Sequence, residues 1–318
     1  MRPTGGGRHM TALEAVSAYL PPERVPIDAL AGELGLTDIQ VRMFHRYYGL
    51  AEVLREPTGT ITDLMLNAAA KLSELRGRES QVRYVIQART LQAIAPYPED
   101  PLHDVVAALG LRHAQAFAVT QHACASGLLA VELAGRLLAE DGDDGALALI
   151  FVGEKAFTPS ARMIPGTALM GEGCAAILVG TGRRDRLLSY ASATHGEFNA
   201  GLSLTAEMSL EFQQRYPDAL AEVILAAVAR AGITVTDLDL VLPHNVNRVS
   251  WVRVARKVGI PVERLFLDNM PVTGHCFCAD SFLNYVAARD LGRLRPGDHY
   301  LMAAVGLGST FSASVFEH

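Results

Sequence analysis

VTQHACASGLLAVELAGRLL, residues 119–138, joins strand-like residues to a run with helical spacing and sets one cysteine, Cys124, at the join. The stretch just upstream, AFAVT (116–120), is short and apolar. Downstream, Leu128, Val131, Ala134, Leu137 and Leu138 fall on one face at the period of an α-helix. The same alternation of short apolar and longer amphipathic runs continues along the chain. Strands are predicted at 83–88, 116–120, 146–153, 174–180, 238–244 and 299–306, and helices at 26–34, 64–75, 101–109, 127–140, 207–231, 249–258 and 281–291. Apolar runs without strict alternation suit strands covered on both faces, and helices between them suit crossovers. The expectation is an α/β fold around a mostly parallel sheet.

Half of the 318 residues are hydrophobic, enough to bury a large core as one unit or two domains. The formal net charge is −6, and the charges lie in short mixed clusters, so no basic stripe offers a footprint for nucleic acid. No apolar run reaches the ~18 residues of a membrane span, and the start shows no charged-then-apolar signal, so a cytoplasmic protein is expected. The opening MRPTGGGRHM reads as a vector-derived leader, residues 1–9, before a second start at Met10. GTGRRDRLLS (180–189) is a short charged break and divides the chain into halves at 10–183 and 184–318. CASGLLAVELAGRLL from Cys124 can be laid against CADSFLNYVAARDL from Cys278, which hints that the halves are duplicates.

Cys124, Cys174, Cys276 and Cys278 are too few for a disulfide scaffold in a chain this long. A cysteine in the first turn of a helix meets unpaired N–H groups and the positive end of the helix dipole, which favour thiolate. Small neighbours, Ala123, Ala125, Ser126 and Gly127, leave room for a sharp turn and an approaching substrate. The plainer alternative is a small buried residue. A nucleophile needs a partner, and two histidines stand at the ends of predicted elements. PHNVNR puts His244 just after a strand, with Asn245 and Asn247 following, and GHCFCADS puts His275 in a turn before a helix.

Taken together, CASG, GEGCAAILVG (171–180), PHNVNR, GHCFCADS and the closing GRLRPGDHYLMAAVGLGSTFSASVFE (292–317) resemble, in order and separation, the β-ketoacyl-acyl-carrier-protein synthase III branch of the thiolase superfamily. The resemblance runs from about residue 12 to the C-terminus. It implies a five-layered αβαβα fold of two similar halves and a homodimer. It implies an acyl thioester of coenzyme A or a carrier-protein phosphopantetheine as substrate, and no permanently bound cofactor or metal. By the same resemblance Cys124 is the acyl-accepting nucleophile, and His244 matches the histidine of an HQAN-like motif. His275 takes the place of a usual asparagine. The backbone N–H of Leu307, between Gly306 and Gly308, joins that of Cys124 in an oxyanion hole. Asn247, Gly306, Gly308, Phe277 and Met163 are expected around the substrate, Met163 from a segment that in the family often crosses the dimer interface.

The expected reaction is acyl loading on Cys124 followed by decarboxylative condensation with a malonyl-type thioester, since two histidines can each donate to an enolate. The alternative is a non-decarboxylating acyltransferase with His244 and His275 as base. Departures from the family pattern at His275, Cys276, Phe277 and Asp280, and at DIQVRMFHRYYGL (38–50), where coenzyme A is usually held, point to specialised, polyketide-like metabolism and a carrier-protein donor. Three rivals stand beside these readings. One is a non-catalytic subunit pairing with an active homologue. Another is a nucleophile moved to Cys278. The third is a metal site at HCFC, whose spacing is not a standard zinc pattern.

Overall fold

The structure is a computed structural model that describes residues 10–318, so the leader expected at 1–9 lies outside the described residues. A nine-stranded sheet forms the frame, in the order β11-β12-β13-β10-β1-β9-β6-β4-β5. One wing holds β1 (Ala12–Tyr19), β4 (Val82–Ala88), β5 (Gln115–Val119), β6 (Leu147–Val152) and β9 (Cys174–Gly180). The other holds β10 (Arg186–Thr194), β11 (Leu238–Pro243), β12 (His299–Gly306) and β13 (Thr310–Glu317). A single residue pair, Ala12 with Arg186, links the wings. Two small two-stranded sheets accompany them: β2 (Glu23–Pro26) with β3 (Glu52–Arg55), and β7 (Met163–Ile164) with β8 (Ala168–Leu169).

Helices α5 (Ser126–Asp141) and α9 (Asp280–Asp290) lie between the wings. Leu128, Val131 and Leu138 of α5 and Phe282 and Leu283 of α9 pack with Ile86, Ile150 and Ile177 of one wing and with Leu242, Met302 and Phe316 of the other. α3 (Ile61–Ala70) and α4 (Pro101–Ala108) cover the first wing's outer face, packing Leu64, Met65 and Val105 against Val85, Leu149 and Leu178. α6 (Ala206–Ala231) and α7 (Arg248–Val258) cover the second, packing Leu220, Ile224 and Trp251 against Val241, Leu301 and Ala313. The result is the five-layered αβαβα arrangement of two similar halves. Both faces of β6 and β9 are buried, and for this reason their sequences are unbroken apolar runs. Gly127 permits the close approach at the centre, since a Cβ there would meet the Cys278 carbonyl oxygen at 3.0 Å and Phe282 at 3.1 Å.

The expected mostly parallel sheet is corrected by the pairing. Only β4 with β5 and β6, and β11 with β12, run parallel; β9, β1, β10 and β13 pair antiparallel throughout. No helix crosses over between β6 and β9, β9 and β10, or β12 and β13, and strands joined without a crossover turn back antiparallel. The charged break at 180–189 also differs from expectation. Asp185, at φ +54°, is buried and accepts from Tyr285 (2.7 Å), Tyr300 (2.9 Å) and His318 Nδ1 (2.6 Å), and β10 begins directly after it.

The remaining helices are α1 (Ile27–Leu34), α2 (Asp38–Met43) and α8 (Met270–Thr273). A wide π turn, Phe44–Tyr48, continues α2, buries Phe44 and carries Tyr48 to the cavity described below. Among the described residues no helix is long and apolar enough to cross a membrane.

Candidate active site

Between β5 and α5 the chain must reverse within a few residues. Gln121 (φ +71°) and Ala123 (φ +44°) adopt the left-handed conformation without being glycine, and a 3₁₀ turn at Ala123–Ala125 delivers Cys124 to the foot of α5. Such strain in non-glycine residues persists where surrounding structure enforces it, commonly at reactive sites. Here β12 presses on the turn: a Cβ at Gly306 would overlap the His122 carbonyl oxygen.

The second half brings the partners. His275 is fixed through its backbone, whose N–H donates to Leu169 O (2.9 Å) and whose carbonyl accepts from Gly171 N (2.9 Å). Its Nε2 is 3.2 Å from Cys124 Sγ, and its Nδ1 pairs with Asp280 Oδ2. Asp280, the first residue of α9, also accepts from the backbone N–H groups of Cys276 (2.7 Å) and Asn245. Cys124, His275 and Asp280 are all almost fully buried. Burial alone would lower the His275 pKa, yet Asp280 and Cys124 outweigh it and raise it to about 10, so the imidazolium is favoured.

His244 follows β11. Its carbonyl accepts from Trp251 Nε1 (2.8 Å), and its ring meets Trp251 edge-on at 5.3 Å and His275 at 5.9 Å. Its Nε2 is 3.2 Å from the Tyr216 hydroxyl. Burial first, then the charge on His275, lower the His244 pKa to about 3, although the Ala303 carbonyl pulls the other way; the ring is neutral.

On another side of Cys124, the Thr90 hydroxyl is 3.5 Å from Cys124 Sγ and 3.3 Å from Cys278 Sγ. Glu154 holds this loop by accepting from Thr90 N (2.8 Å) and Leu91 N (3.0 Å). Burial pushes the Glu154 pKa up to about 7 against those N–H groups. Cys278 donates to Ala123 O (3.2 Å), and burial, then Glu154, push its thiol well up. A thiol so held is a poor nucleophile.

A cavity of about 290 Å³ opens onto Cys124 and His244. Gly306, Leu307, Gly308 and Asn247 border it, as do Phe212 and Tyr216 of α6 and the segment 198–204. The structure therefore brings together Cys124, His244 and His275, and of these Cys124 and His244 border the cavity beside Gly306, Leu307, Gly308 and Asn247, with His275 buried behind Cys124. Phe277 and Met163, expected at the substrate, do not border this cavity within the one chain. Phe277 stacks behind His275 at 6.5 Å and packs with Ala156 and Met170, and Met163 pairs with Leu169 in the β7–β8 ladder and packs on the second half's outer core. Asp280, Tyr216 and Thr90 join the site without having been singled out as partners. Asp280 had a signal, an acid five residues after His275 in a turn entering a helix, whereas Tyr216 and Thr90 reach the site through tertiary packing alone. Among the described residues, no three His, Cys, Asp or Glu side chains are grouped to hold a metal ion.

Residues 228–318 match the family described as 3-oxoacyl-[acyl-carrier-protein (ACP)] synthase III C terminal. The β-ketoacyl-[acyl-carrier-protein] synthase III of Rhizorhabdus wittichii is 30% identical over 230 residues, covering 67% of this chain and 70% of that protein. Among solved structures, the acyltransferase ChlB3 aligns with a TM-score of 0.84 at 21% identity, over 97% of both chains. 3-Oxoacyl-[acyl-carrier-protein] synthase III of Aquifex aeolicus aligns with a TM-score of 0.83 at 21% identity, over 97% of this chain and 100% of that one. Xanthomonas campestris OleA aligns with a TM-score of 0.81 at 18% identity, over 97% and 99%.

Proposed function

The chain belongs to the β-ketoacyl-[acyl-carrier-protein] synthase III family, and on that premise we propose that Cys124 takes an acyl group from a thioester and that His275 directs it, without decarboxylation, to an O–H or N–H acceptor. That it is an acyltransferase follows from the family. The choice of acceptor chemistry rests on one observation, the line Cys124 Sγ, His275 Nε2, His275 Nδ1, Asp280 Oδ2.

His275 holds the proton of Cys124 as the imidazolium, and the thiolate attacks the donor's thioester carbon. The backbone N–H groups of Cys124 and Leu307 meet the oxyanion; one such donor is typically worth ~3–4 kcal/mol of barrier. Collapse breaks the donor's C–S bond, and the leaving thiolate takes the proton back from His275. The imidazole, now neutral and backed by Asp280, removes a proton from the acceptor as the acceptor's oxygen or nitrogen attacks the acyl carbon. The Cys124 C–S bond breaks, and the thiolate is left beside the imidazolium. A carboxylate behind the histidine suits this shuttle, because it orients the ring and stabilises its charged form.

Decarboxylative condensation is the second reading. What favours it is a second histidine ring, His244, whose centroid lies 5.9 Å from that of His275. The departures at His275, Cys276, Phe277 and Asp280 support a role in specialised, polyketide-like metabolism. The names of the family relatives support a carrier-protein donor, with coenzyme A as the other candidate and a homodimer as the working assembly.

The test is intact-protein mass after exposure to acyl-coenzyme A and acyl-carrier thioesters, beside Cys124→Ala. One acyl mass gained by the wild type and absent from the variant supports the covalent step. CO₂ released from a malonyl thioester at the rate of product formation would replace transfer by condensation. A variant that still gains the acyl group would remove Cys124 from its role.

A further inference from the structure

We propose that Tyr216 is the residue that biases this site against decarboxylation, by occupying the nitrogen of His244 that an enolate would need. The inference rests on the transfer reading above and extends it. Tyr216 stands in α6 one residue before Pro217, and its ring is held edge-on between Phe212 (5.9 Å) and Phe311 (5.7 Å). Its hydroxyl is 3.2 Å from His244 Nε2, and Tyr216, His244 and Cys124 border the same cavity.

Tyr216 engages Nε2 in either tautomer of His244, and it withholds a donor from the cavity in the one whose Nε2 is bare. If Nε2 carries the proton, it is already given to the tyrosine oxygen, and the tyrosine O–H is the donor left to face the cavity. If Nε2 is bare, it accepts from Tyr216 and has no proton to offer. In both cases an enolate oxygen finds no free Nε2–H on His244, and the other ring nitrogen, Nδ1, is buried. Loss of CO₂ from a malonyl thioester breaks a C–C bond and leaves its electron pair as the enolate. With Nε2 bare and accepting from Tyr216, His244 offers that charge no N–H, and it is less well stabilised. The same hydroxyl suits an acceptor that brings its own O–H or N–H, because a neutral hydroxyl can donate to it or accept from it. Tyr216 therefore selects between the two chemistries open to the acyl-enzyme.

The test uses the full chain acylated at Cys124 by p-nitrophenyl hexanoate, an activated ester that needs no carrier, then given malonyl-coenzyme A. CO₂ release is counted per acylated enzyme, so partial loss of fold in a variant does not enter the comparison. In Tyr216→Phe the rate is expected to rise about tenfold over wild type, the equivalent of one hydrogen bond regained in the transition state. In Tyr216→Phe with His244→Ala the rise is expected to vanish. Should Tyr216→Phe resist acylation, Tyr216→Leu also lacks the hydroxyl and is read instead. An unchanged rate in the hydroxyl-less variant, with wild type equally silent, overturns the role of Tyr216 and leaves the transfer reading standing. A rise that survives in the double variant also overturns it, since His244 would not be the group released. Wild type that already releases CO₂ at turnover overturns both.

Discussion

His275 Nε2 lies 3.2 Å from Cys124 Sγ, and the two residues come from opposite halves of the chain. Cys124 depends on a strained turn at the foot of α5, and His275 depends on a turn at the head of α9. Because both turns are clamped by backbone contacts, the pair is pre-aligned before any substrate arrives.

Removing the charge behind His275 should slow catalysis while sparing the fold. Asp280→Asn keeps an oxygen for one of the two backbone N–H donors but no longer favours the imidazolium. We expect acyl transfer to fall by roughly 10²–10⁴-fold, as in other triads that lose their carboxylate. Single-turnover acylation of Cys124 measures it; a rate within a factor of two of wild type would remove Asp280 from the mechanism.

The raised pKa of His275 makes stability depend on alkaline pH. The folded state holds the proton up to about 10 against 6.5 for a free histidine, so this stabilisation is complete below about 6.5 and is lost as pH rises through 10. The urea midpoint of wild type should therefore fall between pH 7 and 10. The fall should be shallower in His275→Asn, and equal slopes in the two proteins would contradict the charged pair.

Glu154 gives the opposite window. Its pKa is raised from 4.5 to about 7, so the folded state favours the neutral acid, and stability from this group is lost as pH rises from about 4.5 to 7. Tm of the wild type should drop across that interval by more than that of Glu154→Gln. Because Thr90 reaches Cys124 from the loop that Glu154 holds, the variant should also acylate more slowly.

At Gly306 any side chain must displace the carbonyl of His122. Gly306→Ala is expected to cost about 1–3 kcal/mol of stability by overpacking and to slow acylation by at least tenfold through the displaced turn. Thermal unfolding and mass-detected acylation read the two effects separately. Normal acylation would mean that the turn tolerates movement.

Much of the frame was legible because buried strands are written as apolar runs: Cys174–Gly180 and His299–Gly306 have the predicted limits, and α5, α6 and α7 begin within a residue of them. What escaped were β1, β10 and β13, whose alternating alanines and serines carry little strand signal, and with them the antiparallel character of the sheet. At the site, the Cys124, His244 and His275 set was legible from position at the ends of elements. Tyr216 was not, since its partner lies 28 residues away on another element and nothing in α6 marks one tyrosine above its neighbours. The position of Phe277 was not legible either: its backbone is left-handed, φ +55°, and its ring stacks on His275.

The division of the reactive pair between halves also has a consequence for timing. A chain is made from its N-terminus, so Cys124 leaves the ribosome well before His275 and Asp280 exist. Until α9 docks on α5, the cysteine has no base and no closed cavity around it. Chemistry that needs the two residues together can therefore begin only when the second half has folded onto the first.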